Sequence, residues 1–172
     1  MNHEPAVPAV PAVPAGSGGT AGPAVPGTAS GPGPEASVGP GAPAGPVELD
    51  RALASFDALW SPRIVTRVND YDVRVAKVRG EHLWHAHDGT DEFFLVLEGE
   101  LFISLREPAG ERTVRLPRGA VFTVPRGVEH KPCSPGGAAI LLFEPTGTAT
   151  VGDRHEAVPE HVDATTGHPL GT

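Results

Sequence analysis

Between Arg63 and Glu144 the apolar positions fall into short, β-rich runs: Ile64 to Val68, Val73 to Val78, His82 to His87, Phe93 to Leu97, Leu101 to Leu105, Thr113 to Leu116, Val121 to Val124, Val128 to Lys131 and Ala138 to Phe143. Turn-forming residues separate them at Asn69-Asp70, Asp88-Gly89, Gly99, Pro108 to Gly110, Pro117 to Gly119, Pro125 to Gly127 and Pro135 to Gly137. Nine short strands at this spacing predict an all-β sandwich or barrel. Leu101, Ile103 and Leu105 alternate with polar Ser104 and Arg106, so that strand has one buried face. Phe93 to Leu97 is apolar throughout, which predicts a central strand.

Ahead of the strands, Leu49, Leu53, Phe56, Leu59 and Trp60 recur at spacings of four, three, three and one. That is the rhythm of one face of an amphipathic helix, predicted to pack on the sheet as a lid or flank. Asp50 falls in its first turn, and Ser61-Pro62 is expected to end it, because proline disfavours helical geometry in the preceding residue. Beyond Glu144 the chain turns polar and is expected to be ordered only where it lies against the β structure.

Composition divides the chain in two. Of its 42 glycines and prolines, 21 stand in residues 1–46, which hold no aromatic side chain and only two formal charges, Glu4 and Glu35. Such a segment lacks the large apolar groups whose burial offsets backbone ordering entropy, so it is expected to be a disordered low-complexity tail. Its Pro5-Ala-Val-Pro8-Ala-Val-Pro11-Ala-Val-Pro14 repeat has the three-residue period of polyproline II and reads as a semi-rigid solvated tether. All nine aromatics lie downstream, in a stretch the size of one small domain. The predicted organisation is therefore a tail over 1–46, one domain over 47–155 and a polar C-terminal tail over 156–172.

Charge and cysteine content narrow the function classes. The segment after residue 46 carries 19 acidic against 13 basic side chains, a poor balance for binding nucleic acid or an anionic membrane. Cys133 is the single cysteine, so no internal disulfide forms. The first lysine or arginine is Arg51, prolines interrupt every apolar run before it, and no segment reaches the roughly 18 to 20 apolar residues that span a bilayer. The expectation is a cytoplasmic protein.

The chemistry concentrates in Trp84-His85-Ala86-His87-Asp88-Gly89-Thr90-Asp91-Glu92. Residues two apart on a strand face the same way, so His85 and His87 aim two imidazoles at one point. The Asp88-Gly89 turn then returns Glu92 beside them. Two imidazoles and a carboxylate suit divalent iron, manganese, zinc, nickel or cobalt. His130, in the turn-and-strand segment Pro125-Arg126-Gly127-Val128-Glu129-His130, is the candidate fourth ligand. By the same parity His82 is expected to face away from the metal, as are Trp84 and Ala86. Cys133 reads as a small buried hydrophobe, and His155, His161 and His168 as solvated.

His85-x-His87, four residues, Glu92, six residues, Gly99 resembles the first cupin motif, and Gly119, five residues, Pro125-x-Gly127, two residues, His130 resembles the second. The longer run from Phe56-Asp57 to Glu144-Pro145-Thr146-Gly147-Thr148 is similar to the small single-domain cupins of the type-2, phosphomannose-isomerase-like group. The resemblance covers about residues 48 to 155. It implies a single-domain jelly-roll barrel with a short N-terminal helix and a metal at its centre, held by His85, His87, Glu92 and His130. Three histidines and one glutamate leave coordination positions open, as catalytic rather than structural sites do. Glu92 suits either role, ligand or catalytic base.

The function these features imply is a metal-dependent small-molecule enzyme of dioxygenase or isomerase type. The rival reading is a non-catalytic binding or sensing cupin. Both the exposed edges of small β structures and the cupin resemblance lead us to expect a homodimer. For the tail, deletion of residues 1–46 is expected to leave the melting temperature and metal content within experimental error, as calorimetry and metal analysis would show.

Overall fold

The structure is a computed structural model that describes residues 45–171, so the tail expected over 1–46 lies, apart from its last two residues, outside the described residues. The helix α1 (Leu49–Ala54) leads into β1 (Arg63–Val68), β2 (Tyr71–Glu81), β3 (His85–Ala86), β4 (Glu92–Glu107), β5 (Gly110–Pro117), β6 (Val121–Val124), β7 (Glu129–Pro145), β8 (Arg154–His155) and β9 (His168–Pro169). The main sheet runs β5-β4-β7-β2-β1-β9; β6 pairs with β4, and β3 pairs with both β7 and β8. Every pairing is antiparallel except the short parallel contact of β9 with β1. This is a mostly-β fold with one short helix. Among the described residues no helix is long and apolar enough to cross a membrane.

β2 shows how alternation builds two cores from one strand. Ala76 and Val78 are buried inside the barrel with Phe94, Val96, Leu101, Ile103, Ile140 and Leu142. Val75, on the opposite face, is buried beneath Ala52, Leu53 and Phe56 of the α1 segment. A helix of six residues is too short to be stable by itself, so α1 persists because Ala52 and Leu53 are buried on this outer face.

The helix is shorter than the periodicity predicts. It stops at Ala54, with the Ser55 hydroxyl donating to the Ala52 carbonyl at 2.7 Å. Phe56 to Trp60 then run along β2: Lys77 Nζ donates to the Phe56 carbonyl at 2.7 Å, and Trp60 N donates to the Lys77 carbonyl at 2.8 Å. Trp60 adopts a left-handed φ of 51°, and its Nε1 donates to the Arg79 carbonyl at 2.8 Å. Tertiary hydrogen bonds thus override the helical rhythm, and Leu59 is left exposed.

Two predicted breaks are not breaks. Phe93 to Leu97 and Leu101 to Leu105 belong to the single strand β4, and the predicted runs Val128 to Lys131, from Glu129 on, and Ala138 to Phe143 to the single strand β7. Their mutual register shifts at Val96/Glu98 and again at Gly99/Phe102, so the expected turns are bulges that bend two long paired strands. Gly99 (φ 72°) and Gly137 (φ 90°) meet at this bend, where a Cβ on Gly99 would strike the Gly137 carbonyl oxygen. Conversely, His82 to His87 is not one strand, because only His85 and Ala86 pair as β3.

Residues 156–172, expected as a polar tail, are ordered on the barrel as far as they are described. Val162 joins the principal core, and β9 covers the edge of β1. The Asp163 carboxylate accepts from the Ser61 hydroxyl at 2.6 Å and from His168 Nε2 at 2.7 Å.

The bend makes a stability prediction. Gly99→Ala adds a left-handed strain of about 1–2 kcal/mol to a backbone clash, and is expected to cost about 3 kcal/mol in all. Gly119→Ala, also at positive φ but with open space around it, carries only the strain. Denaturant midpoints of the two variants should differ accordingly.

Candidate metal centre

His85 lies on β3, and His87 lies just beyond it; Glu92 opens β4, and His130 is the second residue of β7. β3 pairs with β7 at His85 and His130, which brings the two sequence motifs together. The loops are stitched as well. Gly127 N donates to the His87 carbonyl at 2.7 Å, and Arg126 N donates to the Asp91 carboxylate at 2.9 Å. Gly127 has a φ of 76°, so this turn favours the glycine that the second motif carries.

All four predicted ligands are buried, and their ligand atoms lie within 4.8 Å of one another. Glu92 Oε2 is the hub, 2.6 Å from His130 Nε2, 3.2 Å from His87 Nε2 and 3.7 Å from His85 Nε2. His85 Nδ1 donates to the Leu83 carbonyl and His130 Nδ1 to the Val128 carbonyl, each at 3.0 Å. Those bonds hold both rings in place and turn each Nε2 toward Glu92.

The site passes a direct test of fit for a divalent cation. His85 Nε2 and His87 Nε2 are buried without any hydrogen-bond partner. Buried polar atoms are almost always paired, and a cation supplies the missing partner for both. Opposite donors around one ion stand about 4.2 Å apart at bond lengths of about 2.1 Å, close to the spread observed here.

Electrostatics at the centre follow from burial and from one carboxylate. Burial lowers the pKa of His85. Burial would raise Glu92, but the charge and hydrogen bond of His130, with the His85 and His87 rings close by, hold it well below the usual carboxylate range. At His87 burial lowers the pKa, yet the Glu92 carboxylate 3.2 Å from Nε2 outweighs it and the net shift is upward.

One sequence expectation is overturned. His82 does not face away; it is 7% exposed, its ring centroid is 4.9 Å from that of His85, and it lines the same cavity as His85 and Glu92. Parity fails because residues 82–84 leave the strand after the Val78/Gly80 bulge, so the alternation restarts at His85. Burial, then the neighbouring His85 charge, pushes His82 down to about 3. Trp84 does turn outward, with the Arg106 guanidinium 4.0 Å from its ring centre.

Glu144 is a second functional candidate that spacing alone could not place. It is buried in the cavity wall, where Arg74 Nη1 donates to it at 2.8 Å. Burial, together with the charge of Glu92, outweighs Arg74 and pushes its pKa up to about 8. Its inward position is a consequence of alternation along β7 from Ile140 and Leu142, and the predicted run, ending at Phe143, stops one residue short of it. Cys133 is half-buried and stands outside the cluster. His155 and His161 are exposed, and half-buried His168 is bonded to Asp163, so none of the three joins the site.

Removal of one ligand and competition by protons should both be visible. His87→Ala is expected to lose most bound metal while keeping its far-ultraviolet β signal, because the barrel has its own apolar core. Protons compete for the ligand nitrogens. With the His87 pKa raised above 6.5, metal affinity should begin to fall as pH drops through 7, and His85 should add to the loss only at lower pH. Metal analysis after equilibration at limiting metal across pH 4 to 8 checks both.

Comparison with known proteins agrees with this geometry. The cupin domain profile matches residues 72–144. A cupin-2 domain containing protein from Shewanella frigidimarina superposes with a TM-score of 0.54 at 37% identity, over 58% of this chain and 93% of that one. The uncharacterized protein YdbB of Bacillus subtilis is 39% identical over 67 residues, which are 39% of this chain and 57% of YdbB. The chain thus matches little more than half the length of that curated relative. Hydroquinone 1,2-dioxygenase from Sphingomonas sp. TTNP3, in complex with 4-nitrophenol, superposes with a TM-score of 0.53 at 22% identity, over 59% of this chain and 32% of its own, a likeness of fold alone. With its barrel, its two joined motifs and its buried three-histidine, one-glutamate cluster, this chain belongs to the cupin domain family.

Proposed function

We propose that the protein is a metal-dependent enzyme of the dioxygenase type that takes a small, largely apolar, oxygen-bearing molecule at the cluster. The observation that carries this reading is the wall of the cavity beside His85 and Glu92. It is built from Trp60, Pro62, Ala76, Val78, Phe94, Pro132, Ile140 and Leu142, and its only further polar side chains are His82, Glu144 and Thr150. A sugar buried here would leave several hydroxyls unpaired, at about 1–3 kcal/mol each. An aromatic or aliphatic body with one or two oxygen functions meets no such penalty, which favours the dioxygenase reading over the isomerase.

Size adds a condition. The room in the cavity is about 30 Å³, whereas a cavity of about 150 Å³ is known to hold benzene. A ring therefore enters only as part of the wall moves. Thr150 is the part of the wall carried by the C-terminal segment, where its hydroxyl donates to the Asp163 carbonyl at 2.6 Å. That segment is joined to the sheet by the two-residue strands β8 and β9.

A bound divalent ion of the redox-active class, iron or manganese, would supply electron transfer at the open positions. Glu92 serves as a ligand in this reading, because its Oε2 faces all three imidazoles. The proton from a substrate hydroxyl is then left to Glu144, the other carboxyl in the cavity wall, whose pKa near 8 suits exchange around neutral pH. Iron-loaded protein, assayed by an oxygen electrode against a panel of hydroxylated aromatics and a panel of sugar phosphates, is expected to consume oxygen only with the former. Sugar isomerisation would replace this reading with the isomerase. Binding of aromatics without oxygen uptake would replace it with the sensing module.

The protein is further expected to act as a homodimer, a reading supported by the family's small barrels and by exposed Leu59, Val68 and Tyr71. Sedimentation velocity should give a dimeric mass, and a concentration-independent monomer would refute it.

A further inference from the structure

We propose that His82 is a ligand-contacting residue of the metal site, whose Nδ1 hydrogen-bonds the small oxygen- or nitrogen-donor molecule that occupies the cavity beside the cluster. The inference rests on the metal-site reading and extends it to a residue outside the ligand set. Five buried side-chain nitrogens lack a hydrogen-bond partner among the described residues: Arg63 Nε, Arg74 Nε, His82 Nδ1, His85 Nε2 and His87 Nε2. A cation accounts for the last two. Both arginines place other guanidinium nitrogens in hydrogen bonds, Arg63 with Ser61 and Arg74 with Asp72 and Glu144. His82 Nδ1 is left, and an unpaired buried group of this kind costs about 1–3 kcal/mol unless something fills its need.

The ring is held where a ligand would meet it. Trp60 packs at 5.0 Å and His85 at 4.9 Å between ring centroids, and the His82 backbone N donates to the Pro132 carbonyl at 2.9 Å. The ring lines one cavity with His85 and Glu92 of the cluster, and its room of about 30 Å³ suits a molecule of two or three heavy atoms. Hydrocarbon makes up most of the remaining wall, so a polar occupant has few competitors for its hydrogen bonds. The spacing of the histidines supports a role in contact rather than in ligation, since His82 is absent from the converging donor set.

Azide is a suitable probe, because it combines a donor atom for the ion with a distal atom free to meet His82. Full-length protein loaded with cobalt(II) is titrated with azide, followed by its absorption spectrum, with cobalt content measured on the same samples. His82→Phe is expected to keep the cobalt stoichiometry and to bind azide about three- to ten-fold more weakly, the loss of one neutral hydrogen bond. His82→Asn, which retains a polar group near the Nδ1 position, should recover most of the affinity. His82→Gln, whose amide reaches toward the Nε2 position instead, should not, and the Asn–Gln comparison decides the matter if the Phe variant does not fold. Equal azide affinity in wild type and His82→Phe, or in the Asn and Gln variants, overturns the proposal. Loss of cobalt in His82→Asn also overturns it, by making His82 part of metal binding. If the wild type takes up no cobalt or other divalent ion, the metal-site reading falls first and this inference with it.

Discussion

Four lone pairs must be presented, unprotonated and unpaired, at one point inside a hydrocarbon barrel. That constraint organises the structure. A buried imidazole nitrogen without a partner is unfavourable, and two of them facing one carboxylate are tolerable only if the rings cannot turn away. The Leu83 and Val128 carbonyls lock His85 and His130 from behind, and the turn at Gly127 ties the His87 backbone to the second motif. The 2.6 Å separation of His130 Nε2 and Glu92 Oε2 requires a proton between them when no cation is bound. A proton and a metal ion therefore compete for the same place, so loading is linked to pH.

Long strands deliver these groups. β4 carries Glu92 at one end and Leu101, Ile103 and Leu105 further along, and β7 carries His130 near one end and Glu144 near the other. Both strands can be this long only because they bend together where Gly99 and Gly137 meet. The bend lets residues distant along β7, Pro132 and Glu144 among them, line the same cavity. Packing at the bend thus sets the geometry of the site without touching it.

Beside the cavity, Arg74 is fully buried between Asp72 and Glu144, with the Thr148 carbonyl as a further acceptor at 2.9 Å. Burial would raise the Asp72 pKa, but bonds from Arg67, Arg74 and Thr146 outweigh it and lower the net value. Removing one member of such a group leaves a buried charge uncompensated, which is costly even where the whole group contributes little to stability. This network also fixes Glu144 in the cavity wall. Charge pairing, the cavity's polarity and the loop after β7 are consequently coupled.

The four-residue cluster was legible in the sequence, because His85 and His87 lie two apart and the spacings to Glu92 and His130 match two short motifs. The strand-rich character was legible for the same reason: alternation and turn residues act over a few positions. What the sequence could not decide depends on contacts between segments distant along the chain. The helical rhythm reaching Trp60 yielded to hydrogen bonds from β2, and the expected turns at Gly99 and Pro135 to Gly137 became bulges within paired strands. His82 turned inward because the chain leaves the strand before His85, which no parity rule across an assumed continuous strand can register. Glu144 reached the cavity through the register of β7 against β2 and β4. Local periodicity determines which way neighbouring side chains face; only strand pairing determines what they face.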